Sequence, residues 1–257
     1  MDYTSSAMRH PKIPASEQRF VQHVRQLEER LFPNQFHSDK PSFMKSDARR
    51  FWHFRPSHHV ATGLLTQADI AFLKQPGKRL LSIGAHPAFF ERLLPELGVP
   101  LEDILVADKD PDLSRVAGPL QTVIFDMLEP WPEMGTFDRI IFPESLCIAI
   151  SDRMRCHGER SEPRHREFSN VTLRSAQGDN RSDTSYEDDP METELLTAVM
   201  RQALRILRTG GIIRANGPMS HPNVVTAMSE ILRVEGVEHE VEYQRFLLSL
   251  RMPAAVH

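Results

Sequence analysis

The chain has 257 residues, of which 40% are hydrophobic, and its formal net charge is −4. This length and composition predict one domain with a full core plus extensions, and the charge gives no basic surface for nucleic acid or an anionic membrane. Two cysteines, Cys147 and Cys156, exclude a disulfide framework and fit a reducing compartment. Since no signal-like segment opens the sequence and no apolar run approaches about 18 residues, we expect a soluble cytoplasmic protein.

Residues 1–77 are predicted to form a helical N-terminal extension or lid ahead of the main domain. Apolar residues recur at helical spacing from Phe20 to Leu31, and Pro33 follows the end of that helix. A second helix is predicted over 42–54, and Thr66 is placed to cap a short third one. We expect this extension to cover one edge of a sheet or to close over a site.

Residues 78–110 are predicted to fold as strand, turn, helix and strand. The apolar run 80–83 stops at Gly84, and the segment that follows has helical apolar spacing and ends at Gly98. A second apolar run ends on Asp108. A small-residue turn after one strand, with a carboxylate at the end of the next, is typical of nucleotide sites in parallel sheets.

The remaining elements alternate in the same way and predict an α/β fold with a doubly wound, mostly parallel sheet of seven strands. Further strands are predicted at 121–125, 137–142 and 212–213, and long helices at 192–207 and 223–232. Gly210 and Gly211 are predicted to end the first of these helices. The candidates 237–243 and 245–251 predict a closing antiparallel pair, so the main domain is predicted over 78–251.

Residues 151–189 break this pattern. Apolar residues are sparse and without period there, and charges of both signs are dense. Such a segment cannot bury enough surface to offset its ordering entropy, so it is predicted to be a disordered insertion. Its sequence resembles the in-frame translation of palindromic repetitive elements of bacterial genomes. Cys156, His157 and His165 lack the paired spacing of metal ligands, and no metal site is predicted.

The turn after the first strand has the chemistry of a ligand site. Gly84 and Ala85 lack bulk, so a ligand can approach the backbone there, and the following helix N-terminus offers amides and a partial positive charge. Asp108, about 20 residues further on, can accept both hydroxyls of a ribose. Because any parallel α/β protein has glycine turns and helix-capping acids, these residues alone leave a purely structural role open.

With these residues placed, 78–251 resembles the class I S-adenosylmethionine-dependent methyltransferases. That family has an acid and three spaced glycines at the first strand and turn, an acid after the second strand, an aspartate after the third and a double glycine before the fifth. The matching stretches are 82–88, Asp108, 125–127 and 207–211. The resemblance lies in order and spacing, and it implies the Rossmann-like fold with its closing antiparallel pair.

The first loop departs from the family pattern. Ser82 stands where the family has its acid, and His86 and Ala88 replace two of the three glycines. A hydroxyl can hydrogen bond but cannot neutralise the ammonium of the cofactor, so the methionine end should bind less tightly unless another carboxylate substitutes. His86 either contacts the carboxylate of the cofactor or is a surface turn residue. The sequence around Gly84 also lacks a dinucleotide-binding fingerprint.

The resemblance implies a set of site residues. Asp108, with Lys109 beside it, would bind the ribose hydroxyls, and Asp126 with Met127 would contact the adenine; a helix cap and a turn residue are the structural alternatives for the two acids. The cofactor-binding set is completed by Ser82, Gly84, Ala85 and His86. Glu144 follows the fourth strand and is the candidate general base, with a solvated carboxylate as the alternative.

The segment 49–59 is both aromatic and basic. If it folds over the site, it could bind an acidic or planar acceptor through Arg50, His53 or Arg55. Otherwise its aromatic residues pack the extension and its charges are solvated. His58 and His59 lack a third metal ligand in the sequence.

The sequence therefore predicts a methyltransferase that uses S-adenosyl-L-methionine on a small-molecule acceptor, without nucleic-acid or membrane partners and with its oligomeric state open. Methyl transfer is a direct displacement, so orienting the acceptor and excluding water supply most of the acceleration. Two alternatives stay open. One is aminocarboxypropyl transfer from the same cofactor, and the other is a non-catalytic methyltransferase-like binding protein, which the loss of the acid and two glycines favours.

Overall fold

The computed structural model describes residues 15–33, 35, 55–161, 190–217, 222–244 and 247–254. The predicted helix at 42–54 and residues 162–189 of the predicted insertion lie outside the described residues. Within the described residues, no helix is long and apolar enough to cross a lipid bilayer. The same residues contain no group of three or more His, Cys, Asp or Glu side chains arranged to hold a metal ion.

Seven strands form one sheet in the order β3-β2-β1-β4-β5-β7-β6. They are β1 (Leu80–Ile83), β2 (Ile104–Asp108), β3 (Gln121–Ile124), β4 (Phe137–Pro143), β5 (Leu207–Asn216), β6 (Glu240–Gln244) and β7 (Leu247–Arg251). The first five strands run parallel, and β7 pairs antiparallel with both β5 and β6. This arrangement confirms the predicted fold class, including the closing antiparallel pair.

Helices precede and connect the strands. They are α1 (Ala15–Leu31), α2 (Pro56–Ala61), α3 (Gln67–Leu73), α4 (Phe89–Leu93), α5 (Leu113–Val116), α6 (Ser145–Ser161), α7 (Pro190–Arg205) and α8 (Pro222–Val234). The predicted cap at Thr66 is confirmed, because its hydroxyl accepts from the Asp69 amide and the Asp69 carboxylate accepts from the Thr66 amide. A 3₁₀ turn extends α4 to Leu97, and Gly98 then ends the segment with φ of 89°.

Each face of the sheet is covered by its own layer of helices, as expected for parallel strands that are apolar on both sides. Leu81 and Ile83 of β1 face a core that includes residues of α6, α7 and α8. Leu80, one residue earlier, faces the opposite core, which includes residues of α1 to α5. Consistent with helices on both faces, the residues of β1 and β4 are all buried, and those of β2 are buried up to Asp108.

The N-terminal helices belong to the second of these cores. Val24 of α1 is fully buried there, and the Phe32 ring lies 5.1 Å from that of Phe89 at the start of α4. Glu28 joins α1 to α2: its carboxylate accepts from the amide and hydroxyl of Ser57, and Arg55 Nε lies 3.0 Å from its Oε1. The described part of the extension therefore packs against this layer of the sheet.

Two element boundaries differ from the sequence prediction. The helix α6 continues to Ser161, so residues 151–161 are helical where a disordered insertion was predicted; Met154 extends the apolar stripe of Ile150 onto the core and offsets the ordering entropy. In addition, α7 ends at Arg205, and Gly210 and Gly211 lie inside β5 rather than ending a helix. The pairing of β5 with β4 shifts register there, because buried Leu207 already pairs with Phe137 before the glycines.

A buried ion triad fixes α3 to the sheet. Arg139 Nε of β4 donates to Asp69 Oδ1 at 2.8 Å, and Arg214 of β5 pairs with Asp69 Oδ2. Burial acts to raise the pKa of Asp69, but the charge of Arg214 and hydrogen bonds from Thr66 and Arg214 outweigh it and lower the pKa to about 2. The guanidinium of Arg139 also lies 4.2 Å from the ring centroid of Phe72. The triad thus connects α3 to two central strands.

We predict that Asp69→Asn lowers the free energy of unfolding near neutral pH by about 2 kcal/mol, which is the shift from 3.8 to about 2 converted at 1.36 kcal/mol per unit. Because the folded-state pKa is depressed, this contribution is present above the unfolded value of 3.8 and is lost as the pH falls through about 2. Urea unfolding of both proteins across this range measures it, with the exposed Glu133→Gln as control. Equal stabilities near neutral pH would contradict the prediction.

Candidate functional site

The loop after β1 is hydrogen bonded to the end of β2. The amides of Gly84 and Ala85 both donate to the carbonyl of Ala107, at 2.7 and 3.2 Å. The next amide, that of His86, donates to Asp108 Oδ2 at 3.0 Å. The backbone amides that the sequence analysis assigned to a ligand site therefore largely serve to join the ends of β1 and β2.

Asp108 lies at the predicted place, at the carboxyl end of β2, and is partly exposed. Its Oδ1 accepts from the Asp110 amide at 2.9 Å, so each carboxylate oxygen holds one backbone donor. A carboxylate offers about four acceptor positions, which leaves capacity for two ribose hydroxyls. Lys109 beside it is exposed. This geometry fits both the ribose role and the structural alternative of a loop cap.

The His86 ring lies among the acids of the next turn. Its Nε2 is 4.0 Å from an oxygen of Asp110 and 4.0 Å from one of Asp112. The side chain as a whole is 32% exposed, but its Nε2 atom is buried and has no hydrogen-bond partner. Both roles left open by the sequence, a contact with the cofactor and a turn residue, therefore stay predictions.

Ser82 does not face the strand-end surface, because its side chain is fully buried. Its Oγ donates to Glu91 Oε1 at 2.6 Å, and Glu91 is itself 1% exposed. Burial raises the pKa of Glu91 to about 7, and the charge of Asp108 acts in the same direction while the Ser82 hydrogen bond opposes it. The carboxylate nearest to the position of the family acid is therefore internal and comes from α4.

Gly84 is required by the close approach of the loop after β4. With φ of 74° it adopts a conformation that favours glycine, and a Cβ there would overlap the Ser145 side chain. Ser145 Oγ donates to the carbonyl of Ile83 at 2.6 Å. Met127, predicted to contact adenine, is 7% exposed and packs near the same glycine. The ends of β1 and β4 are thus in direct contact.

Asp126 caps its own turn. Its Oδ1 accepts from the Leu128 amide at 3.0 Å, and Arg153 of α6 reaches to 3.7 Å from its Oδ2. The indole of Trp131 donates to the carbonyl of Met127 at 2.9 Å. The turn role that was left open for Asp126 is therefore observed, and its contact with adenine stays a prediction.

Glu144 is paired and nearly buried rather than solvated. Its Oε1 lies 3.0 Å from Nε2 of His58, and the two side chains are 12% and 14% exposed. Glu144 also has φ of 55°, a left-handed conformation that is uncommon for a residue other than glycine. Strained backbone of this kind persists where the surroundings hold it and is found mostly at functional sites.

Asn216 at the end of β5 holds this strained residue. Its Oδ1 accepts from the Glu144 amide at 2.9 Å, and its Nδ2 donates to Thr62 Oγ1 at 3.2 Å and faces His59 Nδ1 at 3.3 Å. Asn216 is 2% exposed, and His59 is 1% exposed. One buried amide therefore connects the backbone at Glu144 to the helix that carries His58.

The arrangement matches the two halves of S-adenosyl-L-methionine unequally. Asp108 retains acceptor capacity for the ribose of the nucleoside half. For the methionine half, Ser82 and Glu91 are buried, and the amides of Gly84 and Ala85 already have a partner. Two surface hollows lie elsewhere, along α7 and α8, and their linings contain none of the predicted site residues. The described residues thus fit an adenosyl group better than its amino-acid tail.

Several of these contacts were not predicted from the sequence. The pairing of His58 with Glu144, the role of Asn216 and the internal Glu91 all join residues distant along the chain. The sequence did single out His58 and Glu144 separately, one as part of a segment that could fold over the site and one at a strand end. No local pattern marked Asn216 or Glu91.

Comparisons with known proteins concern the fold. No family model matches the chain, and no curated protein matches it. The solved structures similar to it include the N-methyltransferase NodS of Bradyrhizobium japonicum WM9 in complex with S-adenosyl-L-homocysteine, at 15% identity over 90% of this chain and 98% of that one, with a TM-score of 0.45.

Two further similar structures are methyltransferases. The magnesium protoporphyrin IX methyltransferase of Synechocystis PCC 6803 with bound SAM is 11% identical over 94% of this chain and 99% of that one, with a TM-score of 0.46. A methyltransferase of Pyrococcus furiosus is 12% identical over 93% and 98%, with a TM-score of 0.46. The strand order itself carries the assignment, and this chain has the Rossmann-like methyltransferase fold that the resemblance predicts.

We predict that the folding stability of this protein falls between about pH 4.5 and about pH 7 because of Glu91. Its folded-state pKa is raised, so its contribution is fully present below the unfolded value of 4.5 and is lost as the pH rises through about 7. The change amounts to roughly 3 kcal/mol at 1.36 kcal/mol per unit.

Glu91→Gln keeps an acceptor for Ser82 and removes the titration, so the variant should be the more stable protein above neutral pH. Urea unfolding at several pH values measures the difference between variant and parent. The exposed Glu102→Gln is the matched control and should follow the parent. A parallel pH dependence in Glu91→Gln and the parent would show that Glu91 does not titrate in this range.

Proposed function

We propose that this chain is an S-adenosylmethionine-dependent methyltransferase that acts on a small-molecule acceptor. The observation that carries the proposal is the buried His58–Glu144 pair at the carboxyl end of β4, held on a strained backbone beside the Gly84 loop. Stability alone does not account for such strain, since a relaxed residue would serve a structural contact at lower cost.

The position of this pair is the position at which open α/β sheets bind ligands. In the order β3-β2-β1-β4-β5, the chain leaves β1 toward β2 on one side and returns to β4 on the other. The crevice between β1 and β4 is therefore the topological switch point, outside the carboxyl ends of the strands. Gly84 directly follows β1 and Glu144 directly follows β4, so both lie at this end of the sheet.

The cofactor would supply an electrophilic methyl group on a sulfonium. Asp108 would accept the ribose hydroxyls, with Lys109 beside it, and Asp126 and Met127 would border the adenine. The loop residues Gly84, Ala85 and His86 would lie beneath the cofactor, whereas Ser82 of β1 is buried and hydrogen bonded to Glu91. The chain itself orients the acceptor at Glu144 and excludes water from the crevice.

Two alternatives stay open. Aminocarboxypropyl transfer uses the same cofactor, and analysis of products distinguishes it, because it releases methylthioadenosine in place of S-adenosylhomocysteine. A non-catalytic methyltransferase-like binding protein is favoured by the engaged amides of Gly84 and Ala85 and by the burial of Ser82. A cytoplasmic location remains an expectation from the sequence.

Titration calorimetry with S-adenosylhomocysteine tests cofactor binding. We predict binding to the parent protein and a loss of about 2 kcal/mol, roughly 30-fold in Kd, in Asp108→Asn, because hydrogen bonds to a charged acceptor contribute about 1.5–3 kcal/mol. Asp152→Asn is the matched control, since this exposed acid of α6 pairs with Arg155. If the parent protein shows neither heat of binding nor a thermal shift with S-adenosylhomocysteine, the protein is better interpreted as a non-catalytic binding protein.

We also predict that S-adenosylhomocysteine and 5′-methylthioadenosine bind with Kd values within about tenfold of each other, which is about 1.4 kcal/mol. The reason is that Ser82 occupies the position of the family acid, and the carboxylate bonded to it, that of Glu91, is buried. The ammonium of the amino-acid tail therefore gains no charge partner there. Competition between the two compounds in one calorimetric series measures the ratio. A preference of more than a hundredfold for S-adenosylhomocysteine would reveal a dedicated anchor for its tail.

A further inference from the structure

We propose that a second copy of this chain docks antiparallel on the outer surface of α7 and α8, so that the protein forms a two-fold symmetric dimer. We call this surface the α7–α8 face. It comprises the outward side chains of α7 from Pro190 to Arg205 and those at the end of α8 from Ile231 to Glu235. The face contains none of the candidate site residues, so the inference stands apart from the proposed methyl transfer.

The α7–α8 face exposes apolar side chains that the fold of one chain does not bury. Val234 is 89% exposed, the highest fraction among the large apolar side chains of the described residues, and Ile231 is 36% exposed. The two residues are three positions apart on α8 and therefore lie side by side on its surface. A single exposed apolar residue is ordinary, but apolar residues that border a groove are typical of interaction sites.

Two hollows between α7 and α8 form this groove. Arg201 of α7 borders both hollows and forms an ion pair with Glu235, which directly follows α8, so the hollows lie on either side of that ion pair. The first hollow is lined by residues that include Thr193, Thr197 and Ile231, and the second by residues that include Leu204, Val237 and Met252. From Pro190 to Arg205 the groove is roughly 22 Å long, at about 1.5 Å per helical residue.

Charges of opposite sign lie toward the two ends of the groove. Glu194 borders the first hollow and Arg205 borders the second, and both side chains are exposed. Arg201 lies in an ion pair, whereas neither Glu194 nor Arg205 pairs with another charged side chain of the described residues. Because the two residues are about three helical turns apart, they point to the same side of α7. One face of one helix thus carries both halves of an ion pair.

An antiparallel second copy matches this charge arrangement. With α7 of one copy antiparallel to α7 of the other, Glu194 of each copy lies opposite Arg205 of the other, and the two-fold axis makes the contact twice. A parallel arrangement would instead bring like charges together, which is unfavourable. Arg201 lies near the axis, where Glu235 offsets its charge. Ala198 lies between Glu194 and Arg205 on the same side of the helix, and its small side chain permits close approach.

The same orientation gives the exposed apolar residues a place to pack. Val234 is adjacent to Glu235 and thus lies near Arg201 along the groove, whereas the first hollow extends from Arg201 toward the start of α7. Reversing the direction of one copy places its Val234 over the hollow at Thr197 and Ile231 of the other. The face therefore complements itself in both charge and shape, which favours a second copy over a different protein.

The size of the face indicates a reversible dimer. Two helices side by side are roughly 20 Å wide, so the face covers a surface at the small end for specific protein–protein contacts. We therefore expect a monomer–dimer equilibrium in the micromolar range. Since exposed charges contribute to the contact, the dimer should weaken as the salt concentration rises.

Sedimentation equilibrium of the full chain over a series of concentrations tests the inference. We expect the dimer Kd to rise at least roughly tenfold in Glu194→Arg and in Arg205→Glu, because each reversal replaces attraction by repulsion at two symmetry-related contacts. Arg25→Glu is the matched control and should leave the dimer Kd unchanged, since this exposed residue lies on α1, which covers the other face of the sheet.

Mixing the two reversal variants gives the sharpest result. In an equimolar mixture, Arg at position 194 of one variant meets Glu at position 205 of the other, and the unchanged Arg205 and Glu194 also meet. The mixture should therefore dimerise as the parent does, although each variant alone does not. The chain with both substitutions should self-associate for the same reason. Recovery of this kind is not expected if a substitution acts by damaging the fold.

Val234→Asp tests the apolar part of the contact. It should also raise the dimer Kd at least roughly tenfold, because a charge would enter the hollow of the other copy. Leu101→Asp is the control, since Leu101 is an exposed apolar residue that precedes β2. Thermal unfolding of every variant checks that the fold is intact, and if a reversal variant unfolds at a lower temperature, Val234→Asp and the chain with both reversals decide.

Three results would overturn the inference. One is a parent protein that stays monomeric throughout the micromolar range, whether another part of this chain or a different protein covers the face. The second is a parent dimer that neither charge reversal weakens, which would place the interface elsewhere. The third is failure of the equimolar mixture to dimerise, which would exclude the antiparallel contact of Glu194 with Arg205.

Discussion

The buried amide of Asn216 is the contact on which the candidate site depends. It joins the end of a central parallel strand to the strained backbone at Glu144 and to the N-terminal segment at Thr62 and His59. All its donors and its acceptor are used in a region from which water is excluded, where an unmade hydrogen bond is costly. The amide group therefore has one orientation that satisfies all three contacts. Through these contacts, the ends of β4 and β5 fix the position of the helix that bears His58.

The described residues of the helical extension contact the candidate site through His58, His59 and Thr62. Packing of α1 against α4 and the buried Glu28–Arg55 contact fix α2 beside the strand ends. The buried ion triad at Asp69 fixes α3 to β4 and β5 in the same layer. Charged groups thus locate the extension, and apolar burial stabilises it, because ion pairs specify geometry more than they contribute net stability.

The most informative departure from the methyltransferase pattern is the place of the acid. Where the family has a carboxylate on the first strand, this chain has a serine that donates inward to Glu91 of α4. Glu91 is buried, and burial raises its pKa and favours the neutral form of the carboxyl group.

The sequence by itself determined the elements and their order. The strands at 80–83, 104–108 and 137–143, the cap at Thr66 and the placing of Asp108 follow from local patterns, since apolar period, turn residues and caps act over a few residues. The sequence prediction was wrong where pairing between distant strands overrides a local pattern. Gly210 and Gly211 have the form of a helix stop, yet pairing of Leu207 with Phe137 draws the chain into the sheet earlier.

Only the tertiary structure decided which side chains meet. His58 and Glu144 lie 86 positions apart in the chain, and Asn216 and His59 lie 157 apart, so no spacing rule could associate them. Likewise a serine at position 82 is compatible with a surface or an interior, and the choice was made by the helix that packs over it. Contacts between residues distant in sequence depend on how the layers fit together, and that fit is a property of the whole core rather than of any segment.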